Sequence, residues 1–153
     1  MAQAGDNTKA ALVDSLNTLL ADYFTLYLKT KNFHWHVAGP RFHDLHLLFD
    51  DQATEIFALT DTIAERVRKN SADTLTTLAR VVKRSRIEEE ESATLDADTM
   101  IAQLRDDNRK LIDGIREAKE AAGRAGDNAT DGMADDWTDQ AEKRAWFLDQ
   151  LLR

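Results

Sequence analysis

The sequence predicts an all-α protein: a four-helix bundle with a short extra helix in the connection between the second and third long helices. Three observations favour this class. Six glycines and one proline in 153 residues leave few helix breaks. Apolar residues recur at intervals of three and four, and no segment alternates as a strand would. The length suits one domain with its own core, so we expect residues 1–153 to form a single domain.

The first two long helices are predicted to form a hairpin around a Gly-Pro turn. The first runs from about residue 7 to about residue 36, and the second from about 42 to about 69. Gly39 suits the turn, and Pro40 suits the start of the next helix. The inward stripe of the first comprises Leu12, Leu16, Leu19, Leu20, Tyr23 and Tyr27. That of the second comprises Leu45, Phe49, Ile56, Ile63 and Val67.

The second half of the chain predicts two more long helices. Residues 70–82 read as a connection with the short helix inside, and Glu88 to Glu91 form a solvated acidic run. The third long helix runs from about residue 98 to about 123. The fourth opens at Gly126-Asp127, with Asp127 as its cap, and continues to the last residue. The inward residues are Ile101, Leu104, Leu111 and Ile115, then Met133, Trp137, Ala141, Leu148 and Leu151.

Composition excludes several classes of function. The chain has no cysteine, so disulfides and thiolate chemistry are absent. A formal charge of −8 argues against a large phosphate-binding surface and suits a protein that attracts cations. No uninterrupted apolar run is long enough to span a membrane. The N-terminus has no apolar run behind a basic start, so we expect a cytoplasmic protein.

The second helix carries a second stripe, formed by His46, Asp50, Phe57, Asp61 and Glu65. A His-Asp pair four residues apart is by itself usually a surface contact, and a lone histidine such as His34 usually belongs to the core. As a set, however, these ligand-type residues indicate a metal site. His46 and Asp61 lie about 22 Å apart along one helix, too far for one metal centre.

A second, antiparallel copy of the helix removes this obstacle. With a two-fold axis near Glu55 and Ile56, the His46 end of one copy faces the Asp61 end of the other, which makes two identical sites. Ala53, Thr54 and Phe57 would then lie in the dimer interface. His34 and His46 would converge from both sides of the turn. Two imidazoles and three carboxylates suit Fe(II), Mn(II) or Zn(II).

The remaining histidines are His36 and His43. Helical geometry places His36 outside the site, on a different side of its helix from His34. His43 lies close to Asp50 around the second helix, so spacing alone does not decide between His43 and His46.

The segment 32–67 closely resembles the Dps family of mini-ferritins. Its pattern is Asn32-Phe33-His34-Trp35, Leu45-His46, Asp50, then Asp61-Thr62-Ile63-Ala64-Glu65-Arg66. The resemblance selects His46 over His43, and implies that the five metal ligands are His34, His46, Asp50, Asp61 and Glu65.

The resemblance further implies a ferritin-like fold in a hollow homododecamer built from two-fold dimers. Such an assembly would be a ferroxidase. It would oxidise its substrate Fe(II) with hydrogen peroxide or dioxygen at inter-subunit sites, store the Fe(III) product as mineral and so protect against oxidative damage. Other first-row divalent metals could also bind. Trp35, beside the site, could supply an electron.

Two further expectations concern the surface. Asp127, Asp131 and Asp135 recur every four residues near the start of the fourth helix, a region that in the family surrounds a three-fold pore, so they are candidate pore acids. The alternative function is a DNA-binding, nucleoid-protecting protein on the same fold. The acidic balance and the lack of a lysine-rich tail make DNA an unfavourable partner.

Overall fold

A computed structural model describes residues 4–153 as a bundle of four long helices with one short helix beside it. Residues 1–3 of the predicted domain lie outside the described part. The helices are α1 (Ala4–His36), α2 (Phe42–Lys69), α3 (Leu78–Arg84), α4 (Ala97–Ala125) and α5 (Asn128–Gln150). Residues 4–153 contain no strand. The all-α prediction, with its short helix before the third long one, is confirmed.

The bundle consists of two helical hairpins. Helix α1 packs along α2, α5 packs along α4, and α1 also packs along α4, which joins the hairpins; α3 lies against α1. The connection 70–96 carries the chain from one hairpin to the other. The predicted long helices are all present, although α1 begins three residues earlier than expected and α5 ends at Gln150 instead of continuing to the last residue.

The core follows most of the predicted stripes. Nearly all the apolar residues expected to face inward are buried. Tyr27, Met133 and Leu151 are instead only partly buried at its margin. The Tyr27 ring packs on Phe57 of α2 with a centroid distance of 4.9 Å. Tyr27 therefore belongs to the edge of the core next to the second stripe of α2.

The connection between the hairpins is anchored to the end of α1 by Lys29 and Asn32. The Lys29 ammonium forms a buried ion pair with Asp107 of α4 at 2.8 Å and also donates to the carbonyl oxygen of Glu88 at 2.8 Å. The Asn32 amide donates to the carbonyl oxygen of Glu90 at 3.0 Å. The acidic run is therefore not only a solvated segment. Its backbone accepts hydrogen bonds that fix the last turns of α1, where His34 lies.

The start of α5 is held to the end of α2 through Asp127. Gly126, at φ +73°, ends α4 in the left-handed conformation, and the Asp127 carboxylate then accepts from the backbone N–H of Thr130. The same carboxylate accepts from Arg66 at 2.8 Å and from Asn70 at 2.9 Å. Burial by itself raises the pKa of Asp127, but hydrogen bonds from Asn70, Thr130 and Arg66 outweigh burial and hold that pKa below its usual range.

Replacing this acid should destabilise the bundle. Asp127→Asn keeps an oxygen for the cap but removes the charge facing Arg66, so we expect the unfolding free energy at neutral pH to fall by about 1–3 kcal/mol. Because the pKa of folded Asp127 is lowered, its contribution is complete above the unfolded value of about 3.9. It is lost as the pH falls below that value.

Urea unfolding of both proteins at pH 7 and pH 3 measures this difference. Asp139→Asn is the matched control, because Asp139 is an exposed acid on the same helix. Equal losses of stability in the two variants, or a gap between wild type and Asp127→Asn that does not narrow at pH 3, would contradict the assignment.

Candidate metal centre

The turn between α1 and α2 brings two of the four histidines together. The Nδ1 atom of His34 lies 2.6 Å from the carbonyl oxygen of His46, and the Nδ1 atom of His46 lies 2.7 Å from the carbonyl oxygen of His34. The two rings stack with a centroid distance of 3.9 Å and an interplanar angle of 14°. Each imidazole is therefore fixed by the backbone of the other residue.

These reciprocal bonds determine which nitrogen of each ring can bind a metal. A carbonyl oxygen only accepts hydrogen bonds, so Nδ1 of each neutral ring carries the hydrogen. Nε2 of His34 and of His46 then carries a free lone pair. Proteins orient metal-binding imidazoles in this way, by fixing the non-ligating N–H on a carbonyl or carboxylate. The geometry gives two imidazole donors held in one orientation.

Asp50 lies beside this pair. Its Oδ1 atom lies 3.8 Å from Nε2 of His34. Two ligands of one first-row ion lie about 3.0–3.4 Å apart, so a small side-chain movement brings both to one metal. Lys31 donates to the same oxygen at 2.8 Å. That hydrogen bond is the main reason why the pKa of the Asp50 carboxyl lies below its usual value, and the Coulomb attraction of Lys31 adds to it.

Asp61 and Glu65 lie apart from these residues. Both are exposed on α2, toward its other end. Within residues 4–153 of one chain, no three residues of the His, Cys, Asp and Glu types are placed to hold a metal ion. The structure thus brings together His34, His46 and Asp50, but does not bring Asp61 and Glu65 to them within one chain.

The other two histidines have local roles. His36 is exposed, and its Nδ1 atom lies 2.9 Å from the carbonyl oxygen of Asn32, one turn earlier. His43 is exposed, and its nearest acid is Asp44 at 3.6 Å. Among the contacts of residues 4–153, none joins either ring to the His34–His46 pair. The exclusion of His36 and the choice of His46 over His43 as metal ligands stay predictions.

Large apolar side chains are exposed beside the middle of α2. Phe57 is 52% exposed and Leu28 of α1 is 58% exposed. With Leu78 and Val82 of α3 they line a cavity of about 500 Å³. Thr54 is exposed as expected, but Ala53 is fully buried in its own bundle. The expectation that Ala53 faces a second copy is therefore wrong, because its position on α2 points to the core.

The interior of the bundle holds a cation that sequence reasoning missed. Arg144 of α5 is 1% exposed; its Nε donates to Asn108 at 2.7 Å and its Nη1 donates to Glu55 at 2.7 Å. The backbone oxygen of Arg144 also accepts from Gln52 at 3.4 Å. A guanidinium is always charged, so it repels a metal ion from this position.

Comparison with known proteins identifies the family. The ferritin-like domain family matches residues 13–153. The "DNA protection during starvation protein" of Brevibacillus brevis is 34% identical over 137 residues, which cover 90% of this chain and 91% of that protein. The structure of Dps from Thermosynechococcus elongatus has a TM-score of 0.95 at 28% identity and covers 99% of this chain and 96% of its own. The chain belongs to the Dps family.

A further Dps structure carries information about chemistry. Dps from Vibrio cholerae O1 has a TM-score of 0.91 at 29% identity, covering 96% of this chain and 92% of its own. It is described as a member of a broad superfamily of ferritin-like diiron-carboxylate proteins. Family membership thus confirms the predicted ferritin-like fold and supports iron binding in general terms.

Other residues singled out as Dps features have defined surroundings. Trp35 is exposed, and the Lys31 ammonium lies 5.7 Å from its ring centroid. Of the candidate pore acids, Asp127 is occupied by its cap and Arg66, whereas Asp131 and Asp135 both pair with Lys119. The electron-donating role of Trp35 and the pore role of these acids stay predictions.

Within residues 4–153, no helix has the length and apolarity needed to cross a bilayer.

The reciprocal bonding predicts a single tautomer for each histidine of this Dps pair. In the metal-free protein near pH 8, we expect His34 and His46 to carry hydrogen on Nδ1 and a lone pair on Nε2, because each Nδ1 faces a carbonyl oxygen. Long-range ¹⁵N–¹H spectra of labelled imidazoles distinguish the two nitrogens. Exposed His43 serves as the reference without a fixed partner. Hydrogen on Nε2 of either site histidine would contradict the geometry.

Proposed function

We propose that this Dps protein is a ferroxidase mini-ferritin. It oxidises Fe(II) with hydrogen peroxide or dioxygen at sites shared between two subunits, and stores the Fe(III) product as mineral in a hollow dodecamer. The observation that carries the proposal is the fixed His34–His46 pair. Its free Nε2 atoms stand at one end of an exposed helix face whose other end carries Asp61 and Glu65.

A two-fold axis joins the two ends. An antiparallel copy of α2, with the axis near Glu55, sets Asp61 and Glu65 of a second copy against His34, His46 and Asp50 of the first. One isologous contact then makes two equal sites. The apolar cavity around Phe57 and Leu28 supports this contact, because exposed side chains of this size favour burial against another chain. The incomplete ligand group of a single chain supports it independently.

The ligand set determines the chemistry. Two imidazoles and three carboxylates suit Fe(II) and also Mn(II) or Zn(II), but among these iron readily gives up one electron to an oxidant. Two Fe(II) ions supply the two electrons that convert one hydrogen peroxide and two protons into two waters. The carboxylates favour the Fe(III) product because their fixed negative charge attracts a trivalent ion more strongly than a divalent one. The fixed imidazoles keep the ion oriented at the site.

Net charge favours iron over DNA as the partner. At −8 per chain, twelve chains carry a formal charge of about −96, which attracts Fe(II) and repels a polyphosphate. The name of the Brevibacillus brevis relative refers to DNA protection. We propose that protection here results from removing Fe(II) and its oxidant, so direct DNA contact is not part of the proposal. Binding of duplex DNA in a gel shift at physiological salt with a chelator present would refute this.

Loss of either paired histidine should abolish most of the activity. His34→Ala or His46→Ala removes one imidazole donor and also the N–H that fixes its neighbour, so we expect Fe(II) oxidation to slow by roughly 10- to 100-fold. Absorbance of the ferric product after peroxide addition measures the rate, and native mass spectrometry checks assembly. His36→Ala, on the same helix and outside the site, should oxidise Fe(II) like wild type. Loss of activity in the His36 variant alone would refute the assignment.

Complementation tests whether the sites are shared. His46→Ala and the double variant Asp61→Ala, Glu65→Ala should each be inactive alone. In a mixed dimer, one site combines both defects and the other combines two intact halves. Co-expression should therefore restore activity, up to half the wild-type rate per mixed dimer, whereas mixing after assembly should not. If both halves of the site came from one chain, co-expression would restore nothing.

A further inference from the structure

Lys31 lies at the metal centre, although it is not one of the predicted ligands. It stands one turn before His34 on α1, and its ammonium donates to Oδ1 of Asp50 at 2.8 Å. This is the Asp50 oxygen that approaches Nε2 of His34, at 3.8 Å. The ammonium also lies 5.7 Å from the Trp35 ring centroid. The Lys31 ammonium thus binds the Asp50 oxygen that lies nearest to Nε2 of His34.

We propose that Lys31 competes with the metal for Asp50 and thereby sets the metal affinity of the centre. The inference rests on the proposed function, since it concerns the same site. A metal that bridges His34 and Asp50 must take the lone pair that now accepts from the ammonium. Lys31 must then withdraw, or remain beside the ion and repel it.

Electrostatic repulsion between Lys31 and the metal determines the direction in which Lys31 changes the metal affinity. A divalent ion and an ammonium that share one carboxylate lie within a few ångströms of each other, where like charges repel appreciably even in water. The ion pair itself contributes little to the fold, because Asp50 is nearly half exposed and the Lys31 side chain retains some solvent contact. The main effect of removing the charge is therefore on the metal and not on the bundle.

A positioning role for Lys31 at the same contact predicts the opposite change in metal affinity. If Lys31 mainly held Asp50 in position, its loss would loosen the carboxylate and weaken metal binding. If Lys31 competes, its loss strengthens metal binding. The two roles are separated by the direction of a single measured change.

Weaker binding would have a functional use. A ferroxidase site must release its Fe(III) product toward the mineral, and a nearby ammonium that returns to Asp50 favours this release. The ring of Trp35 offers the displaced ammonium a second resting place, because a cation over an indole face is attracted to it. In the structure one Lys31 position makes both contacts, so the ring can retain the ammonium when a metal takes Asp50.

Zn(II) titration calorimetry provides the test, because Zn(II) binds without redox chemistry. We expect Lys31→Met to bind Zn(II) about tenfold more tightly than wild type with the same stoichiometry. Lys31→Gln should behave in the same way and serves if the first variant fails to fold. Lys31→Arg, which keeps the charge, should remain near wild type. The thermal midpoint of the metal-free assembly should change little in all three.

Lys143→Met is the matched control. Lys143 also lies over an aromatic ring on its own helix, 5.5 Å from the centroid of Phe147, and forms no ion pair within residues 4–153. Its removal should leave Zn(II) affinity unchanged. Unchanged or weaker binding in both Lys31→Met and Lys31→Gln would overturn the inference. Wild-type Zn(II) binding in His46→Ala would instead overturn the proposed site, so the two failures are distinguishable.

Discussion

A straight helix separates His46 from Asp61 by about 22 Å, and the organisation of the proposed metal centre depends on that rigid distance. An α-helix of this length cannot bend enough to bring its ends to one ion. One chain therefore provides an imidazole-rich half and a carboxylate-rich half at opposite ends of α2. In a two-fold dimer, the same spacing would place the imidazole half of each chain opposite the carboxylate half of the other. One contact between two rigid helices would then form two sites.

The imidazole half is organised by a short turn. Gly39, at φ +105°, lets the chain reverse within a few residues of His34, so α2 begins close beside the end of α1. The two histidines then hold each other through their backbone carbonyls. The Lys29–Asp107 ion pair and the Asn32–Glu90 bond fix α1 from its other side. Preorganisation of this kind reduces the ordering cost when a metal binds.

Much of this structure could be predicted from the sequence because it follows local rules. Apolar spacing located the long helices, and a glycine followed by Asp127 marked the start of the last. Family resemblance selected His46, which the structure places against His34. Details that depend on packing between helices were not predictable. Ala53 was assigned to the wrong side because a one-residue step around a helix separates core from surface.

Long side chains account for the other omissions. Lys31 reaches from α1 to Asp50 on α2, and Arg144 reaches from α5 to Asn108 on α4 and Glu55 on α2. No spacing rule along one helix encodes such contacts. Asp127 was expected both as a cap and as a pore acid. In the structure it caps α5 and binds Arg66, because the end of α2 lies beside the start of α5, and its pore role stays a prediction.

The buried guanidinium of Arg144 has a consequence for how the protein folds without metal. Its partners Asn108 and Glu55 belong to the same chain, so these contacts join the helices in the middle of the bundle without a metal ion. Small zinc domains behave differently, because removal of the metal unfolds them. Here the helices of one chain hold together without a bound metal. We therefore expect a newly synthesised chain to fold at low iron concentration, and chelation of a bound metal to leave the bundle folded.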